Sequence, residues 1–342
     1  MSKLSVVCVC ILVQASSLAL GQGGFTMGWV ELYADNAPAH RQGHLILAAK
    51  DRLYVFGGND GARVIDDFWS FDSAREKWTQ LDLPEEITFL NLAEGIAHNG
   101  KLYIVGQYPG RISPSASTIS DYLDALLVYD MEQDLWERTL AFGAPPDRVG
   151  GSFVGIGKGK ALLFGGSRHA LWDWERVNET WLFDAATRSW QVFAARNPPS
   201  PRSVAAIAAD QEGNVLLFGG LGADDESHAD TWLLDVEQRE WERLEVEVRP
   251  PARHAASMAT LDGGLFVLSG GRFQQQYLED VWLFRLADRT WQHVDPQGPS
   301  PDGRTSAGLS VLADGTVYLF GGGNEDYLYN DLWCLLVSAA RP

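Results

Sequence analysis

The chain has 342 residues, 46% of them hydrophobic, and is rich in glycine (35) and tryptophan (13). Its 27 Lys and Arg face 45 Asp and Glu, a net charge of −18, which excludes a general basic surface for nucleic acid and disfavours anionic membranes. Such acidity keeps a protein soluble and self-repelling, and does not by itself identify a cationic partner.

Residues 1–21 read as an export signal. Lys3 supplies the positive start, and Leu4 to Leu20 is apolar apart from Ser5, Gln14, Ser16 and Ser17. Ala19-Leu20-Gly21 places small residues where a signal peptidase reads. The run is short for a membrane span, and no other apolar run reaches about 18 residues. The mature chain is expected to begin near Gln22 and to be secreted (periplasmic in a bacterial host), with no membrane insertion after cleavage. Cys8 and Cys10 would leave with the signal. Cys334 then has no partner for an internal disulfide and reads as a buried, inert thiol in a strand.

From Trp29 onward one unit recurs. Asn214 to Leu244 shows it most clearly: an apolar run ending in Gly219-Gly220, a polar loop, Asp230-Thr231-Trp232, and a second tryptophan, Trp241. The glycine pair or its counterpart falls at Gly57-Gly58, Gly106-Gln107, Gly165-Gly166, Gly219-Gly220, Gly270-Gly271 and Gly321-Gly322, a mean period of about 53 residues. Tryptophans pair as Trp69/Trp78, Trp181/Trp190, Trp232/Trp241 and Trp282/Trp291. Each unit reads as four short strands, a to d; in the first they are 44–49, 53–56, 68–71 and 78–81. Lys50-Asp51, Asn99-Gly100, Gly213-Asn214 and Asp314-Gly315 suit two-residue a–b hairpins. The sixth unit ends after its third strand. Trp29-Val30-Glu31-Leu32 matches Trp78-Thr79-Gln80-Leu81 and supplies the missing fourth.

The glycine pairs and paired tryptophans resemble kelch repeats, over about residues 29–338. The resemblance implies an all-β, six-bladed propeller with four antiparallel strands per blade, its ring closed by Trp29–Leu32. The expected blades run about 40–82, 91–140, 147–194, 201–245, 252–295 and 304–338 plus 29–32, within one domain of 22–342. Closure of this kind leaves no unpaired sheet edge at the seam. Strand alternation puts the short a–b and c–d turns on one face. The long b–c loops and the d–a links share the other, the expected binding face.

Five arginines precede strand a, at Arg41, Arg148, Arg202, Arg253 and Arg304. An acid stands two residues before the strand-c tryptophan, at Asp67, Glu179, Asp230, Asp280 and Asp331. The second unit lacks both, with Asn91 and Ala125 nearest. Some kelch domains bind acidic peptides through arginines at similar positions, which implies a cationic rim at the channel mouth. Their shared presence and absence favours internal ion pairs instead, because a buried arginine needs a partner.

Aromatic residues outside the repeat pattern are the ligand candidates: Tyr108, Trp172 and Trp174 beside Arg168 and His169, Phe273, Tyr277, Tyr327 and Tyr329. Rings with adjacent polar groups can stack on sugars or clamp peptides. Asp224, Asp225, Glu226 and His228 form an acidic loop with no defined metal spacing, read as solvated. Asn178-Glu179-Thr180 is a glycosylation sequon if the host is eukaryotic.

Enzymes occur on this fold, and what the resemblance implies for them is testable in the residues. A copper radical oxidase needs a Tyr–Cys cross-link and two His; iron-dependent specifier proteins carry Glu-x-x-x-Asp-x-x-x-His. Neither pattern is present, nor a Ser-His-Asp set, so no cofactor or metal is expected. The expectation is a monomeric, secreted binding module for a protein or glycan. A carbohydrate-active epimerase, lyase or oxidase and a structural extracellular scaffold are the alternatives.

Overall fold

The computed structural model describes residues 25–339, apart from 86, 88–89, 107, 110–124, 147, 171–172 and 262. The expected export signal over 1–21, Trp172 and most of the second b–c loop lie outside the described residues. So do the side chains of Tyr108 and His169.

Six four-stranded antiparallel sheets form the blades of a propeller. The fourth blade shows how composition makes each strand. Its strand a, Ala206–Ala209, is alanine at three of four positions, because six such strands converge on the axis. Strand b, Asn214–Phe218, and strand c, Thr231–Asp235, are sandwiched between neighbouring blades, so strand b reads as an unbroken apolar run. Strand d, Glu240–Leu244, alternates a buried Trp241 with exposed Glu242 and Arg243, as an outer edge strand should.

Blades pack through that tryptophan. Trp241 of the fourth blade lies 5.3 Å from Phe164 of the third, Trp291 of the fifth 5.3 Å from Phe218 of the fourth, and Trp78 of the first 5.1 Å from Phe320 of the sixth. In each case the phenylalanine is the last residue before a glycine pair, so the repeat carries both halves of its own interface.

The ring closes as expected, with a longer strand. Phe25–Leu32 pairs antiparallel with Leu332–Ala339, four residues beyond the expected Trp29–Leu32. The a–b turns divide into two kinds. Ala49↔Arg52 and His98↔Lys101 enclose two residues, with Lys50 and Asn99 at positive φ. The expected two-residue turns at Gly213-Asn214 and Asp314-Gly315 are instead five-residue loops, closed by Ala209↔Val215 and Val311↔Val317. An aspartate drives the first: Asp210 accepts the backbone N–H groups of Glu212 and Asn214 and tightens the loop itself.

Trp29 is buried in the same cluster as Leu265, Val267 and Val281 of the fifth blade. Trp29→Ala should therefore cost about 3–5 kcal/mol, as for an interior tryptophan. Urea denaturation of variant and parent reads this; an unchanged midpoint would show that the closing strand contributes nothing.

Candidate functional site

The five arginines before strand a are buried, and each is held the same way. Arg202 donates from Nε to the Ser200 carbonyl (3.1 Å) and from Nη1 to the Gly219 carbonyl (2.9 Å). It meets Asp230 bidentately at 2.6 and 2.9 Å, and Trp232 Nε1 donates to that carboxylate at 2.7 Å. Arg41–Asp67–Trp69, Arg253–Asp280–Trp282 and Arg304–Asp331–Trp333 repeat the arrangement. Arg148 uses Glu179, which also accepts from Trp181. In Asp230 and Asp280 burial raises the carboxyl, but the arginine outweighs it and holds both below the usual range. These guanidiniums are internal clips and present no cationic rim.

Four of the five clips also join a neighbouring blade. Gly166 N donates to the Arg202 carbonyl, Gly220 N to Arg253, Gly271 N to Arg304 and Gly322 N to Arg41, all within 2.8–2.9 Å. Here the glycines are obligatory. Gly219 has φ 66°, and a Cβ there would lie 2.4 Å from the Arg253 carbonyl oxygen.

Inside the clips, a backbone girdle circles the channel mouth. Val204 N donates to Gly150 O, Ala255 N to Val204 O, Ser306 N to Ala255 O, Gly43 N to Ser306 O and Leu92 N to Gly43 O, at 2.7–3.3 Å. All six residues have left-handed φ. The sixth link, Gly150 N to Leu92 O, is not made. The girdle is open between the second and third blades.

The strand-a segments enclose a central cavity of about 620 Å³, lined mostly by Gly, Ala, Ser and aliphatic residues. Among its described lining residues only His44 and Glu94 ionise. His44 is buried against Phe320, and burial, then Arg41, pushes its imidazole down to about 3. Glu94 opens strand a of the second blade and pairs in register with Val105. Among the described residues it makes no hydrogen bond or ion pair, and desolvation pushes its carboxyl up to about 8.

The b–c loops carry hairpins that the repeat pattern does not announce. Ser167–Ala170 pairs with Asp173–Arg176, and Arg272–Phe273 with Gln276–Tyr277. Trp174 on the first is 44% exposed, and Tyr327 of the sixth blade 68%. Phe273 and Tyr277 are half-buried. Tyr329 is committed elsewhere: Arg304 stacks on its ring at 3.8 Å and Asn324 donates to its hydroxyl at 2.7 Å. Arg168 is paired with Glu175 and Glu179. The Asn178 amide donates to the Pro199 carbonyl at 3.0 Å.

Two cations on this face escaped the sequence reading. Arg272 donates Nε to the Gln274 carbonyl and stacks over Tyr277 at 5.3 Å, with no carboxylate partner among the described residues. Arg176 reaches Ser203 Oγ (3.3 Å) and the exposed Asp225 (2.7 Å). Between them stands His254, bonded to Ser227 Oγ at 2.9 Å. Burial, then Arg272 and Arg176, lowers its pKa. The acidic loop holds no described cluster of metal-ligating type.

The family model of the KLHDC2/KLHL20/DRC7 Kelch-repeats domain matches residues 17–166 and 150–340. The chain belongs to this kelch family. Among curated proteins, Kelch domain-containing protein 2 of Bos taurus is 24% identical over 88% of this chain and 68% of its own. Acyl-CoA-binding domain-containing protein 5 of Arabidopsis thaliana is 25% identical over 68% of this chain; the match spans only 36% of that longer protein. N-(sulfonatooxy)prop-2-enimidothioate sulfolyase of Thlaspi arvense is 27% identical over 67% of this chain and 72% of its own. Kelch propellers are in general protein-binding modules, so the loop face just described is the natural place to look for a partner.

The kelch clip makes a strong stability prediction. Arg202→Met leaves Asp230 buried without its cation and should cost about 3–5 kcal/mol in urea denaturation. Adding Asp230→Leu should recover part of that loss; a double variant as unstable as the sum of the singles would contradict the pairing.

Glu94 makes a pH prediction. Below about pH 4.5 the carboxyl is protonated in both folded and unfolded chains. Between 4.5 and about 8 only the folded chain keeps the proton, so stability falls across that window as pH rises. Glu94→Gln should match the parent melting temperature at pH 4 and exceed it by roughly 2–4 °C at pH 8.5. Parallel curves at both pH values would mean that the carboxyl is fully hydrated.

Proposed function

We propose that this kelch propeller is an exported binding module that takes an acidic protein segment on its b–c/d–a face. The observation that carries the reading is the cluster of Arg176 on the third blade with His254 and Arg272 on the fifth, bridged by Ser203 and Ser227 of the fourth, in an otherwise strongly acidic protein. The conserved-geometry clips satisfy their own carboxylates, but Arg272 keeps its guanidinium for a ligand. A planar guanidinium takes a carboxylate bidentately. Ser203 and Ser227 add hydroxyls at the same place, and Trp174, Phe273 and Tyr327 offer apolar contact at the rim. Such a site draws affinity from desolvated charge and specificity from ring contacts. The likeness to a sulfolyase supports a second reading, a lyase acting on a sulfate-bearing small molecule, whose anion would use the same cations.

Immobilised peptide libraries graded in acidic content test the first reading. Arg176→Ala with Arg272→Ala should weaken capture of acidic peptides by at least tenfold, about 1.4 kcal/mol, while the melting temperature falls by no more than about 2–4 °C, the scale of about 1 kcal/mol lost at half-buried loop residues. Unaltered capture, or capture confined to a glycan array, rejects this placement. Turnover of sulfated thiohydroximates by the purified chain would favour the lyase instead.

A further inference from the structure

The clips and the girdle run continuously from the third blade through the sixth to the first, and both fail at the second. That blade has neither the arginine nor the acid of the clip. Its Leu92 is the girdle residue whose carbonyl receives no Gly150 N–H. Two residues on, Glu94 stands at the register filled elsewhere by Leu45, Ser152, Ala206, Ser257 and Gly308, each paired with the last residue of its strand b.

The direction of this side chain follows from its neighbours. At the same register Ser152 donates to the Ala205 carbonyl and Ser257 to the Ala307 carbonyl, each the residue just before strand a of the following blade. Ile96, two residues along the same strand, approaches Gly155 of the third blade, where a Cβ would meet it at 3.1 Å. Strand alternation therefore aims Glu94 at the seam between the second and third blades. The unmade girdle link lies at the same seam.

No described residue on the surrounding strands neutralises it. Leu45–Ala49 of the first blade and Ser152–Gly155 of the third carry no ionisable side chain. On its own sheet His98 and Lys101 lie at the opposite end of the strand pair, and Lys101 is bound to Asp130 at 3.0 Å. Tyr103 follows on that strand with its register partner Ile96. His44 turns toward Phe320 and the sixth blade.

We infer that the seam between the second and third blades is a binding site for a primary ammonium group, held by the Glu94 carboxylate and the Leu92 carbonyl at the mouth of the central cavity. The site offers two acceptors, the Glu94 carboxylate and the Leu92 carbonyl, against one described backbone donor, the Gly150 N–H that the girdle leaves unused. An ammonium brings three N–H donors and one positive charge, and so answers both needs at once. The small residues at this mouth, Gly150 and Gly151 among them, leave room for a narrow alkyl stem. The field of a protein of charge −18 favours arrival of such a cation. The bound cation stabilises the carboxylate, so binding releases the proton that Glu94 otherwise keeps, and affinity rises with pH up to about 8. This site is separate from the Arg176 and Arg272 cluster, and stands or falls without it.

Butylammonium and tetramethylammonium are the probes, titrated into the mature chain at fixed ionic strength and followed by the carboxyl carbon resonance of Glu94. Butylammonium should lower the titration midpoint of Glu94 by at least one pH unit. Its affinity should rise at least tenfold between pH 6 and pH 8.5. Tetramethylammonium, with equal charge and no donor, should bind at least tenfold more weakly. Glu94→Gln, titrated by calorimetry beside the parent, should bind butylammonium at least tenfold more weakly while melting no lower than the parent. Equal response to both cations, or an unchanged butylammonium affinity in Glu94→Gln, would show only general attraction to an acidic surface and overturn the assignment. A Glu94 midpoint near 4.5 that butylammonium does not move would overturn it as well.

Discussion

A buried guanidinium is costly unless every donor is met, and this fold meets them with atoms that belong to three different strands. Arg202 takes the carbonyl that enters strand a, the carbonyl that ends strand b and the carboxylate that starts strand c. It thereby fixes where all three strands begin and end relative to one another. Removal of either charge leaves the other stranded, so the pair supplies register as well as stability. The Trp232 indole on the same carboxylate ties the clip to the apolar layer between blades. Because the carbonyl of the arginine also accepts from the preceding blade, one residue organises both a sheet and the joint to its neighbour.

That economy explains where chemistry is available. Five arginines are consumed by the frame, so the surface that can recognise a ligand is made from residues the frame does not need. Arg176 and Arg272 occupy loop hairpins whose sequence varies from blade to blade. His254 is held neutral between them by burial and by their charge, and would become a third cation only as the pH falls. A rigid ring carrying variable loops is the general arrangement in which binding residues can change without loss of fold.

Much of the architecture was legible because the repeat brings its partners at fixed offsets. Arg202 precedes Gly219 by the same spacing as Arg253 precedes Gly270, and Asp230 stands before Trp232 as Asp280 does before Trp282. Joint loss of arginine and acid in the second unit marks them as partners in the sequence itself. The closing strand was legible for the same reason, since Trp29 had a counterpart in every other blade but the ladder beyond it did not. Arg176 and Arg272 were not legible, because a loop residue gains meaning only from neighbours on other blades, such as Ser203 and Asp225. Glu94 was hidden differently. A single polar residue at the head of a strand looks ordinary until the opposing strand, more than fifty residues away, proves to carry only glycine, serine and apolar side chains.

The two weak places of a closed ring need not coincide, and here they do not. The chain's ends meet in the sixth blade, where eight residue pairs zip Phe25–Leu32 to Leu332–Ala339. The unfastened girdle link lies half a turn away, where the polypeptide is covalently continuous. At that joint the outer strands remain stitched, since Phe142 exchanges backbone bonds with Arg188 and Trp190 and Arg188 meets Glu137. Only the inner rim is left unlaced, on the far side of the ring from the clasp that the termini form.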